Sequence, residues 1–163
     1  DDIVYDFLKK NKCDILMWIN PISPLQTSEE ITNCYDYFIK KKFNSLITVQ
    51  ENKVHCLYKN KPINFKTNIK FQQTQNLLPI SRMVYSIMMW KSKSFIASMN
   101  KNNHAMQHGK VGYFNVSFES SIIVKNANDL KIAEKYILIN KKIQNEKYIH
   151  KVDYDKLLKD DVT

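Results

Sequence analysis

Five consecutive apolar residues, Ile15-Leu16-Met17-Trp18-Ile19, constrain the fold more than any other feature of this 163-residue chain. A run of strand length that is apolar on both faces belongs inside a mostly parallel sheet, where helices cover both sides. Pro21 and Pro24 stop it. Thr27-Ser28-Glu29-Glu30 then has the spacing of a capping box, with the Thr27 hydroxyl and the Glu30 carboxylate satisfying free backbone donors at a helix start. The helix, over about residues 28–42, is expected to bury Ile31, Cys34, Tyr35, Phe38 and Ile39. Residues 45–50, Ser-Leu-Ile-Thr-Val-Gln, read as a second strand, so residues 14–50 form one βαβ unit. The chain is therefore read as α/β.

Around this unit, Ile3, Val4, Phe7 and Leu8 have the spacing of an amphipathic helix over residues 1–12. Residues 53–58 and 62–66 are expected to be hairpin strands about Asn60. Strands are expected at 85–90, 110–117 and 121–124, a short helix at 93–99, and a closing helix capped by Asn126 or Asn128 with Leu130, Ala133 and Ile137 on one face. The domain is expected to cover residues 1–145, leaving 146–163 as a charged tail.

Composition excludes several functions. The two glycines, Gly109 and Gly112, cannot build a phosphate-cradling or dinucleotide loop. Cys13, Cys34 and Cys56 are an odd, widely spaced set that fits neither a disulfide framework nor a zinc module, so a reducing, cytoplasmic setting is expected. No apolar run is long enough to cross a bilayer. The net charge of +9 raises the possibility of a basic, RNA-associated protein. The lysines are not interleaved with aromatics, however, and the chain is rich in Asn and Ile as an AT-rich coding sequence would make it, so no nucleic-acid partner is expected. The chain lacks an initiator Met and a signal peptide, and is read as a piece that begins mid-protein.

Chemistry is expected in the loop Asn20-Pro21-Ile22-Ser23-Pro24-Leu25-Gln26, between a strand's carboxyl end and a helix N-terminus, where open α/β sheets bind ligands. Asn20, Ser23 and Gln26 are its candidate contacts; a capped crossover without a ligand is the alternative. Arg82 is the one arginine among 25 basic residues, and a planar two-pronged donor suits a carboxylate. His104 and His108 have i, i+4 spacing but no third metal ligand. His55 and Cys56, adjacent on an expected strand, would face opposite ways and form no nucleophilic pair. Gln72, Gln73 and Gln75 suit either a polyhydroxyl sugar or a solvated loop.

Residues 18–31, Trp-Ile-Asn-Pro-Ile-Ser-Pro-Leu-Gln-Thr-Ser-Glu-Glu-Ile, resemble the Asn/Gln-Pro-Thr-Ser-Pro-Leu-Arg/Gln loop and following helix of the acylneuraminate cytidylyltransferases (CMP-sialic acid synthetases). Three further segments agree in order: Ser45-Leu46-Ile47-Thr48-Val49; Leu78-Pro79 with Arg82 before Tyr85-Ser86-Ile87; and Asp129-Leu130-Lys131-Ile132-Ala133-Glu134, like that family's closing Asp-Leu-x-x-Ala-Glu helix. The resemblance spans nearly all of residues 1–145. It implies a Rossmann-like, mixed but mostly parallel sheet of the nucleotide-diphospho-sugar transferase type, with a β-hairpin dimerisation arm at about 55–86. It also implies transfer of CMP from CTP to a sialic-acid-like sugar acid, with release of pyrophosphate, by a homodimer. The family's N-terminal CTP-binding third has no counterpart here, so an incomplete catalytic unit is expected.

By the same resemblance, Arg82 and Asn20 fall where the family contacts the sugar acid, and Tyr113 and Phe114 where it has paired aromatics near the sugar. The reading of those two as strand core stays open beside this one. The family binds Mg²⁺ through an Asp-x-Asp before the closing helix. Here Ile123 and Lys125 take those positions, an aliphatic and an ammonium, with Glu119 and Asp129 nearby. The alternatives are a different metal site, a phosphate contact by Lys125, or a catalytically inactive, diverged or truncated relative that acts as a dimerisation and binding module.

Overall fold

A computed structural model describes residues 1–140. The chain divides into two compact units, Asp1–Ile123 and Val124–Thr163, a division earlier than the boundary expected at 145; the expected tail lies outside the described residues. In the first unit a four-stranded sheet has the order β1 (Ile15–Ile19), β5 (Ile80–Lys91), β2 (Ser45–Asn52), β6 (Val111–Asn115). The β2 and β6 strands pair in parallel, while β5 runs antiparallel to both β1 and β2. Three of the four strands therefore share one direction. The βαβ unit is present, with β5 inserted between its two strands.

Helix α1 (Asp2–Lys10) and α3 (Ser92–Asn102) cover one face, where Val4, Leu8, Ile47, Met88, Trp90, Phe95 and Met99 pack. Helix α2 (Ser28–Lys41) covers the other, with Cys34, Phe38, Phe43, Leu46, Ile87 and Met89. The alternation along β2 and β5 sends successive residues to these two cores. Both glycines serve this packing. A Cβ on Gly112 would meet the Phe43 ring at 2.5 Å, and Gly109 has φ +60 beside the Asn44 side chain.

Several expectations are corrected. The β1 strand lies at a sheet edge and its residues are half-buried or exposed, because among the described residues only β5 pairs with it. On α2, Tyr35 and Ile39 are exposed, whereas Tyr37 packs against Phe43 and Phe114. The capping box is half made: Thr27 Oγ1 accepts from Glu30 N at 3.1 Å, but Glu30 Oε1 accepts from Ser117 N at 2.7 Å. Residues 121–124 form no strand; a 3-10 turn, Glu119–Ser121, ends in an extended segment. The hairpin shrinks to β3 (Leu57–Tyr58) and β4 (Lys61–Pro62), joined by Lys59 and Asn60 at φ 47 and 62, as a tight two-residue turn requires. Residues 53–56 are outside any strand, so the strand-alternation reason for separating His55 from Cys56 does not apply.

In the second unit, helix α4 covers residues 127–140 of the described chain. Asn126 Oδ1 accepts from the backbone N–H of Asn128 and Asp129, and Asp129 Oδ2 accepts from Lys125 N and Asn126 N. This is a reciprocal cap. Of the residues expected on one buried face, Ala133 is buried but Leu130 and Ile137 are exposed.

A wide bulge interrupts the β2 and β5 pairing. Ile47 faces Met88, yet Val49 faces Met83, so residues 84–87 oppose Thr48 alone. Thr48, fully buried, fills the gap: its Oγ1 accepts from Ile87 N at 3.0 Å, and lies 3.1 Å from Ile87 O and 3.0 Å from Ser86 Oγ. Replacing Thr48 by Val leaves Ile87 N unsatisfied in the core. The expected loss is about 1–3 kcal/mol in urea unfolding.

The Cys34 thiol gives a pH signature. Burial, reinforced by the charge of Glu30, pushes it from 9.0 to about 12. Its neutral form is held in the native state while the unfolded thiol ionises, so this contribution to stability is full below pH 9 and is lost as pH rises towards 12. The urea midpoint is expected to fall between about pH 8 and pH 10 more steeply in the wild type than in Cys34→Ala.

Candidate functional site

The carboxyl ends of β1, β2 and β6 lie at one end of the sheet, and the polar residues expected from the sequence collect there. Pro21 and Pro24 hold the loop after β1, which is tied down by its own side chains. Gln26 Nε2 donates to Asn20 O at 3.3 Å and to Ser23 O at 3.2 Å. Ser23 is buried and its Oγ donates to Ser120 O at 2.7 Å, joining this loop to the turn after β6. Asn20 Oδ1 accepts from Ile22 N at 3.3 Å, and Asn20 Nδ2 lies 3.5 Å from Tyr85 O. The Ser23 hydroxyl and the Gln26 amide nitrogen thus hold the loop in place. Gln26 Oε1, Glu30 Oε2 and Ser120 Oγ are buried with no hydrogen-bond partner among the described residues.

Arg82 comes to this end of the sheet from β5. It pairs in register with Gln50 at the end of β2, and alternation along β2 puts both on the same face as Leu46 and α2. Arg82 Nη2 donates to Gln50 Oε1 at 2.8 Å and to Ser121 Oγ at 3.3 Å. Both acceptors are neutral and nearly buried, at 7% and 5% exposure, while Arg82 itself is exposed. Among the described residues no carboxylate pairs with it. The guanidinium is thus oriented by dipoles with no described counter-charge, an arrangement suited to an anion.

The bulge places Tyr85 at φ +61, a conformation costly for a bulky residue and concentrated at functional positions. Its hydroxyl donates to Met83 Sδ at 3.2 Å. Sequence reasoning missed Gln50, Ser121 and the bulge. Gln50 ends an unremarkable strand segment, and nothing in Val-Tyr-Ser-Ile marks a positive φ.

The expected aromatics are not brought to Arg82. Phe114 packs against Tyr37, ring centroids 5.6 Å apart, in the core beneath α2. Tyr113 pairs with Ile47 and is exposed on the opposite face of the sheet. His108 is a core residue: Nδ1 lies 2.6 Å from Ala105 O and Nε2 2.8 Å from Ser94 Oγ. Gln73 and Gln75 bond to each other in an exposed loop. Three hollows of about 360–370 Å³ lie elsewhere, beside α1 and in the 63–78 arm.

Among the described residues, those at the metal positions expected from the resemblance do not fit a divalent cation. No cluster of three His, Cys, Asp or Glu able to hold an ion occurs among the described residues. Ile123 and Lys125 cannot ligate, and Asp129 Oδ2 is spent on capping α4. Among the described residues no helix is long and apolar enough to cross a membrane, and the three cysteines are free.

No protein-family model matches the chain, and no curated protein matches it. Among solved structures it is similar to 4-diphosphocytidyl-2C-methyl-D-erythritol synthase from Anaerococcus prevotii, at 13% identity and a TM-score of 0.55 over 82% of this chain. The chain spans 64% of the length of that structure. The mixed α/β sheet, three strands of one direction with β5 opposed, is a nucleotidyltransferase-like fold.

Proposed function

We propose that this chain provides the sugar-acid side of a cytidylyltransferase of the CMP-sialic acid synthetase type, in which the anomeric hydroxyl of a sugar acid attacks the α-phosphate of CTP and pyrophosphate leaves. The observation that carries this reading is Arg82, exposed, unpaired with any described carboxylate and held by Gln50 and Ser121 beside the loop after β1. Arg82 receives the carboxylate, and Asn20 stands at the same end of the sheet for the sugar's polar groups. Lys125 is the candidate phosphate contact, and CTP the proposed nucleotide. Transfer of this kind depends on positioning and on neutralising phosphate charge. Gly112 is committed to packing and Gly109 to the backbone of a turn, so neither is available for a triphosphate-cradling loop.

The test is pyrophosphate release by the full-length protein from CTP with N-acetylneuraminate. Release that depends on the sugar acid supports the proposal. A second reading, a non-catalytic binding relative, is favoured by Ile123 and Lys125 at the expected ligand positions and by the capping role of Asp129. Sugar-acid binding without release would select it, and neither binding nor release would remove both.

A further inference from the structure

Gln50 and Ser121 are assigned no role by the resemblance, yet together they take up Arg82 Nη2. Each has its own proton bookkeeping settled. Ser121 Oγ donates to Phe118 O at 2.6 Å, so towards Arg82 it can only accept. Gln50 Oε1 accepts from Asn52 Nδ2 at 3.2 Å as well as from Arg82 at 2.8 Å, which fixes the orientation of its amide. The two protons of Nη2 therefore meet two fixed acceptors, while Nε and Nη1 have no partner among the described residues.

We infer that Gln50, with Ser121, is a positioning residue: it holds the Arg82 guanidinium by Nη2 and, being neutral, keeps the full positive charge for an incoming monoanionic carboxylate. A glutamate at position 50 would pair with Arg82 and compete with the ligand, whereas an aliphatic residue would let the guanidinium turn. The ligand part of this inference rests on the proposed sugar-acid site. The restraint on Arg82 does not.

Because Arg82 is the one arginine in the chain, its side-chain signals in nitrogen-resolved NMR need no assignment. In the 163-residue chain the Nη groups are expected to rotate slowly about their bonds to Cζ, and Gln50→Leu is expected to speed this about tenfold, the factor a charge-assisted hydrogen bond supplies. Ser121→Ala gives the same readout should Gln50→Leu fail to fold. Rotation in the wild type as fast as in free arginine, or unchanged in the variants, overturns the inference.

Titration with N-acetylneuraminate then separates the two ideas. Gln50→Glu should weaken binding by more than about tenfold at neutral pH and recover it in acid, where the introduced carboxyl is protonated. A merely structural defect would show no such recovery, and its absence overturns the charge-keeping role. A restrained Arg82 that does not respond to N-acetylneuraminate in the wild type leaves the positioning role standing and removes the sugar-acid reading.

Discussion

On the proposed sugar-acid reading, Arg82→Lys is expected to raise the KM for the sugar acid about tenfold to a hundredfold, with kcat changed far less. The substitution keeps the charge and removes the planar fork. Arg82 touches Gln50 and Ser121 through one nitrogen and has others to offer outward. A lysine must divide a single ammonium on a flexible stem between those acceptors and the ligand. The lost interaction is expected to be mainly of binding, because the carboxylate, although it shares the anomeric carbon with the attacking hydroxyl, keeps the same charge in the ground state and through the transfer. Steady-state kinetics with the sugar acid varied at saturating CTP give the answer. An unchanged KM retires the carboxylate role, and a fall in kcat alone would place Arg82 at the chemistry instead.

What could be read from the sequence followed the reach of each interaction. Helix α2 announced itself because Thr27 caps it within three residues and Cys34 and Phe38 lie one turn apart on its face. Local signals of that kind need no knowledge of the rest of the chain. The expected partner of Glu30 failed for the same reason in reverse: its carboxylate finds Ser117, 87 positions away, and nothing between them marks that contact. The apolar run of β1 read correctly as a strand but not as an edge, since strand order depends on β5 entering between β1 and β2.

Of the candidate site, the loop and Arg82 were singled out from the sequence, and the side chains around Arg82 were not. Two prolines pointed to the loop from Asn20 to Gln26, and the rarity of arginine pointed to Arg82. The side chains that aim Arg82 come from β2 and from the turn after β6, 32 and 39 positions distant. Tyr113 and Phe114 illustrate the limit of adjacency: neighbours on a strand point to opposite faces, so two consecutive aromatics could not both have faced one ligand. One is core and the other lies on the far side of the sheet.

The arm, expected at about 55–86 but ending where β5 begins at Ile80, carries the second large expected effect. Asn64 ties the arm together: Asn64 Oδ1 accepts from Cys56 N at 3.0 Å, and Asn64 Nδ2 donates to Val54 O at 2.8 Å and Leu78 O at 2.9 Å. His55 adds a ring stacked 4.5 Å from Phe71 and edge-on to Phe65. Yet Leu57, Tyr58 and Ile63 are exposed, and Phe71 and Leu78 are 77% and 75% exposed, more apolar surface than a lone arm would leave in water. A second copy is the proposed cover, joined by an isologous contact. Full-length protein is expected to sediment as a dimer at micromolar concentration. Asn64→Ala removes three backbone bonds at once and is expected to weaken the dimer at least about tenfold, at the lower end of what such a loss costs, while the sheet's unfolding midpoint moves little because Asn64 bonds only within the arm and its two bases. A wild-type monomer at that concentration removes the dimer. A dimer untouched by Asn64→Ala moves the interface away from the arm.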